Sequence, residues 1–166
     1  FLAVTTFGPA GGAEEAIARV RAIHRRVTGI APDGRPYAAS DPHLLTWVHI
    51  AEADSFLRAH TRFGTRPLDQ AGRDGYVADM ARIGAELGAP DPPRTEAELA
   101  DRIARYRPEL AATAQAREAA RFLLVNPPLS AVARAPYGVL AAAADMVLPG
   151  WARRPLLLPR LPVTET

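Results

Sequence analysis

The four histidines of this chain all lie between Arg19 and His60, inside two segments of helical character. The first reads RVRAIHRRVTG and holds His24; the second, GRPYAASDPHLLTWVHIAEADSFLRAH, holds His43, His49 and His60. Imidazole is the common protein ligand for haem iron and zinc, and it exchanges protons near neutral pH. His24 recurs with Ile17, Val20 and Val27 at spacings of three and four, so it belongs to the apolar face of its helix. His49 sits deep in the second helix, with Glu52 one turn on and within reach of its ring. His43 and His60 fall near the two ends of that helix, where exposure is expected. A lone histidine on an apolar face is more often a satisfied core residue than a ligand. His43 and His49 are six apart and His49 and His60 eleven, so no pair has the His-x-x-x-His spacing of a helical zinc site. Ser55 lacks the Gly-x-Ser-x-Gly elbow of a serine hydrolase. The glycines form neither a dinucleotide fingerprint nor a phosphate loop.

Composition narrows the chemistry further. The 166 residues can bury a core, 48% of them are apolar and 23% are charged, and the chain contains no cysteine. Disulfides, zinc-thiolate sites, iron–sulfur clusters and a thiol nucleophile are thereby excluded. All 20 basic residues are arginine, which removes Schiff-base chemistry and the phosphate-loop lysine. A net charge of +2, with the arginines scattered among acids, argues against a nucleic-acid partner. The longest apolar run, Val139 to Leu148, is too short to span a bilayer and contains Asp145, so no integral membrane segment is expected. The chain opens on FLAVTTFG without an initiator Met and closes on RRPLLLPRLPVTET, the pattern expected of a piece of a longer catalytic domain.

The elements that must position the histidines are helical. The expected fold is all-α, a single helical domain over 1–166, with helices near 13–28, 41–61, 69–87, 95–105, 108–125 and 130–148. The first is placed by Glu14 and Glu15 early and Arg25 and Arg26 late, as the helix dipole prefers, and is ended by Gly29. Pro32-Asp33-Gly34 marks a turn. Asp41 as N-cap with Pro42 at the first helical position starts the second, which is apolar on most of its circumference and so expected to be buried. Gly88 stops the third, Thr95 and Glu98 form a capping box for the fourth, Pro108 starts the fifth, and Pro136 kinks or splits the last. Val20, Val27, Trp47, Val48, Phe56 and Leu57 are the expected core. Read from these features alone, the chain suits a non-enzymatic α-helical small-molecule-binding or regulatory domain, although no helix-turn-helix with a basic recognition helix is visible.

The ordered pieces VTTFG, VRAIHRRVTG, GRPYAASDPHLLTWVH and LPR change that balance. Together they resemble the mpaB-type and rubber-oxygenase (latex-clearing protein) family, whose bacterial members are called oxygenase MpaB family proteins. The most specific part is Tyr37-x-x-x-Asp41-Pro42 followed by Trp47-Val48-His49. The resemblance implies a distantly globin-like helical core holding haem b, and an oxygenase that uses dioxygen on the double bonds of an apolar, isoprenoid-like substrate. It also implies that His24, in the family's H..V.G helix, is the iron ligand, and that His49 is a second cofactor-binding residue supporting the pocket. The family's distal Arg-x-x-x-Thr element falls upstream of VTTFG, so the catalytic residues on that side are expected before Phe1.

Overall fold

The structure is a computed structural model that describes residues 1–158. Eight α-helices dominate the described residues: α1 (Leu2–Phe7), α2 (Ala10–His24), α3 (Pro42–Phe63), α4 (Gln70–Leu87), α5 (Glu96–Tyr106), α6 (Ala114–Leu124), α7 (Ala131–Val147) and α8 (Gly150–Arg153). One antiparallel hairpin, β1 (Thr28–Ile30) with β2 (Pro36–Ala38), interrupts them, with Gly29 opposite Tyr37. The fold is all-α in class. The chain forms two compact units, one of residues 1–57 and 66–108, the other of residues 58–65 and 109–166.

Local sequence explains most of the boundaries. Asp41 Oδ1 accepts the His43 backbone N–H at 2.7 Å and starts α3. Asp69 caps α4 through the Gly72 N–H at 2.8 Å, and Gly88 closes it in the left-handed region at φ 108°. Gly72 and Gly75 lie inside the helix. Thr95 accepts from the Glu98 N–H, while the Glu98 carboxylate reaches back to the Arg94 N–H at 2.7 Å. The capping box is therefore closed one residue earlier than the simple motif requires. Gly34, at φ 85°, turns the hairpin, and Asp33 braces it by accepting from the Arg35 backbone and guanidinium.

Two boundaries differ from expectation. Helix α2 stops at His24, and the segment expected to continue to 28 enters β1 instead, because Thr28–Ile30 pairs with Pro36–Ala38. Val27 is consequently outside the helix and exposed. Pro108 lies in a 3₁₀ turn, Arg107–Glu109, and the following helix begins only at Ala114, where Thr113 caps it through the Ala116 N–H. Pro136 leaves α7 a single helix.

The core of the first unit comes from α2, α3, α4 and α5: Ile17, Ile50, Ala53, Leu57, Val77, Ala81, Leu99, Ile103 and Tyr106 are buried. On α3 the buried residues are Thr46, His49, Ile50, Ala53 and Leu57, a single stripe at helical spacing. Leu57 is in the core as expected, whereas Trp47 and Val20 are half-buried. Val48 and Phe56, expected inside, are 62% and 44% exposed. Val48 lies about 160° around the helix from Ile50, and Phe56 sits at the edge of the stripe. An apolar surface nearly all round α3 hid which face turns inward.

Candidate functional site

The first unit contains the site, and α4 is its platform. Helix α2 ends in Arg21 and His24, cationic or polar side chains at the negative end of the helix dipole. Arg21 Nη1 donates to the Glu86 carbonyl at 3.1 Å, tying the end of α2 that carries His24 to the last turns of α4. His24 is half-buried, and its Nδ1 is fully enclosed with no hydrogen-bond partner. The stripe of Ile17, Val20 and His24 holds, and it ends there because the helix ends there.

His49 is only 5% exposed. Its ring lies flat on the backbone of α4 at Gly84, where a β-carbon would come within 2.6 Å of Nδ1, 2.7 Å of Cε1 and 2.8 Å of Cγ. Only a residue without a side chain permits this approach. The Nε2 atom is buried and has no partner. Burial pushes the imidazole below its ordinary value of 6.5, so it is held neutral, the form that ligates metals. The His49 ring is thus fixed at Gly84, and the helix that carries His24 is tied to the same end of α4 at Glu86.

Two further ionisable groups share the α3–α4 seam. Glu52 is raised above the ordinary carboxyl range by burial. Tyr76, on α4, is pushed up to about 12, first by burial and second by the charge of Glu52, and its hydroxyl is buried without a partner. Burial therefore moves His49, Glu52 and Tyr76 each toward the uncharged form. Among the described residues no hydrogen bond joins Glu52 to the His49 ring, contrary to the i to i+3 pairing expected from sequence. Gly84 and Tyr76 carried no sequence signal as site residues, since neither belongs to a motif. A glycine in mid-helix, costing about 1 kcal/mol against alanine, was the one available hint.

The remaining histidines take other parts. His43 stacks on Tyr106 with ring centroids 4.5 Å apart, and Tyr106 in turn stacks on Trp47 at 5.7 Å. The Tyr106 hydroxyl donates to the His43 carbonyl at 3.0 Å and lies 3.1 Å from its Nδ1. This cluster clamps α5 onto the start of α3. His60 is exposed. Among the described residues no group of three or more His, Asp or Glu side chains could hold a metal ion by itself, and no helix is long and apolar enough to cross a membrane.

Neither a curated protein nor a solved structure matches this chain. A family model does, across residues 1–166, and it is described as "ER-bound oxygenase mpaB/B'/Rubber oxygenase, catalytic domain". That match, from end to end of the chain, bears out the resemblance read from VRAIHRRVTG and WVH: the chain belongs to the mpaB/rubber-oxygenase catalytic-domain family.

Proposed function

We propose that this chain is the histidine-bearing part of a haem b-dependent oxygenase acting with dioxygen on an apolar, isoprenoid-like substrate. In this reading His24 is the axial ligand and His49 supports the pocket. The family supports oxygenase chemistry in general. The observation that carries the finer reading is that His24 Nδ1 and His49 Nε2 are both buried without partners, on helices fixed to the same end of α4. A buried polar atom left unbonded costs about 1–3 kcal/mol, and native folds retain such atoms chiefly where function uses them.

The residues fit the group. A haem iron takes one axial protein ligand, so a single imidazole suffices where a zinc site would need three or four donors. With no cysteine in the chain, a neutral imidazole is the natural axial donor here. His24 would hold the iron through an imidazole nitrogen, and the bound haem would supply the site at which dioxygen is activated. The chain's own part is to position, to exclude water and to hold protons. Ile50, Ala53, Val77 and Ala81 make the α3–α4 seam dry. His49 stays uncharged there and offers one donor and one acceptor nitrogen. Glu52 and Tyr76, both raised by burial, add a carboxyl and a phenol to the α3–α4 seam.

The test is the absorption spectrum of the protein produced with added haem precursor. A Soret band is expected. His24→Ala should lose it while circular dichroism shows helix content unchanged, and His49→Ala should lower occupancy or shift the band without removing it. A His24→Ala protein with the full spectrum, or a parent that never takes up haem, refutes the assignment.

A further inference from the structure

Three rings of unlike chemistry lie in contact at the start of α3. Trp47 stacks on Tyr106 with centroids 5.7 Å apart and planes 29° from parallel, and Tyr106 stacks on His43 at 4.5 Å and 24°. In a chain without cysteine, indole and phenol are the side chains that most readily give up one electron. Rings this close exchange an electron directly. Trp47 joins the stack to the candidate site, since on α3 it precedes His49 by two residues, about 3 Å of helix rise. Their side chains leave the helix about 160° apart, so the step between them is tunnelling through α3 and not a contact.

The proton decides what the stack can do. An oxidised phenol is a strong acid, and phenol oxidation is easy only where a base takes the proton at once. The Tyr106 hydroxyl has two acceptors, the His43 carbonyl at 3.0 Å and Nδ1 of the same residue at 3.1 Å. The carbonyl satisfies the neutral phenol, but of the two only imidazole is a base at neutral pH. A clamp of α5 on α3 needs no more than the carbonyl bond and the stacking; Nδ1 adds a base that packing does not require. Tyr106, 8% exposed, is the most buried of the four tyrosines, which keeps a radical there from solvent, whereas His43 is exposed. The first turn of α3 carries the positive end of the helix dipole and makes an imidazolium a poor resting state. The proton therefore returns once the tyrosine is reduced.

We propose that Trp47, Tyr106 and His43 form a relay that drains oxidising equivalents from the oxygen chemistry of the neighbouring site. A one-electron oxidant at that site takes an electron from Trp47. Trp47 takes one from Tyr106 while the phenolic proton moves from Oη to His43 Nδ1, leaving a neutral tyrosyl radical and an imidazolium. A soluble one-electron reductant of the ascorbate or thiol class then returns an electron to Tyr106, and the proton goes back from Nδ1 to Oη. The net change is one electron passed from reductant to oxidant. The relay rests on the haem reading only for the source of the oxidant.

The test supplies the oxidant from outside, so its failure and a missing Soret band are separate results. With no cysteine in the chain, Val48→Cys gives a unique attachment point for a ruthenium polypyridyl photo-oxidant, beside Trp47 at a position 62% exposed. After a flash, transient absorption of the whole labelled protein should show a tryptophan radical giving way to a neutral tyrosyl radical, more slowly in D2O than in H2O. Tyr106→Phe should leave the tryptophan radical standing. His43→Ala should slow tyrosyl formation about a hundredfold, and free imidazole should restore part of the rate. A histidine that only packs would leave that rate unmoved. Circular dichroism and urea midpoints check the fold of each variant, and the isotope comparison needs no substitution among the three rings. A tyrosyl signal that survives Tyr106→Phe, an unchanged rate in folded His43→Ala, or equal rates in H2O and D2O would each overturn the proposal.

Discussion

Replacing Gly84 by alanine should weaken this protein, although alanine is the better helix former. In an open helix position the exchange gains about 1 kcal/mol. At Gly84 the new methyl would stand 2.6–2.8 Å from three atoms of the His49 ring, Cγ among them. Because the contact reaches the root of the ring and not only its tip, the imidazole must leave its place as a whole. Overpacking of this kind costs about 1–3 kcal/mol, and the ring's burial puts this case in the upper part of that range. The net expectation is a loss of about 1–2 kcal/mol, or roughly 3–6 °C in Tm for a chain of this size. Urea unfolding followed by circular dichroism measures it. In a His49→Ala background the clash has no partner, so the same Gly84→Ala change should now stabilise by about 1 kcal/mol, the propensity gain alone. The double-mutant cycle should then give a coupling of about 2–3 kcal/mol. A Gly84→Ala protein that is stabilised in the parent background, or a coupling below about 0.5 kcal/mol, would show that the ring does not lie on α4.

The orientation of α3 makes a second expectation: Ile50→Ala, at a fully buried site, should cost about 2–5 kcal/mol, whereas Val48→Ala should cost under about 1 kcal/mol; comparable losses in denaturant titrations would mean the face is misassigned. The third concerns pH. His49 is depressed below 6.5 by burial, so between its folded value and 6.5 the unfolded chain binds a proton that the folded chain refuses; stability is full above that window and declines as pH falls through it. Urea midpoints measured from pH 7.5 downward should show this decline, and His49→Ala should flatten it. Glu52 works in the opposite sense, since its folded value is raised above 4.5 by burial; stability is lost as pH rises through its window, and Glu52→Gln should remove that slope.

Much of the helical frame was legible because punctuation is local chemistry. Asp41-Pro42, Asp69, Thr95 and Gly88 act within four residues of themselves, and each stands where it ends or begins a helix. The misses came from longer-range effects. Val27 follows a helix-compatible stripe, but pairing of Thr28–Ile30 with Pro36–Ala38 takes the backbone out of the helix first. The α3 face was illegible because Leu44, Val48 and Phe56 are as apolar as Ile50 and Leu57, so hydrophobicity alone could not choose between faces. The small and polar members, Ala53, Thr46 and His49, mark the inward stripe. Of the candidate site, residue type and family pattern single out His24 and His49. They do not single out Gly84 and Tyr76, because the part of these two is defined only by what crosses from α3 to α4.

The central claim is that His24 is the axial ligand of a haem, and chemical rescue tests it most directly. His24→Gly removes the imidazole and leaves a hole of its shape at the end of α2. Purified His24→Gly protein should show no Soret band with added haem, and free imidazole should restore a band close to that of the parent, in proportion to occupancy of the hole. Methylimidazoles too bulky for the hole should not restore it. A His24→Gly protein that binds haem fully without imidazole, or one that imidazole cannot rescue although its helix content is intact, would contradict the assignment.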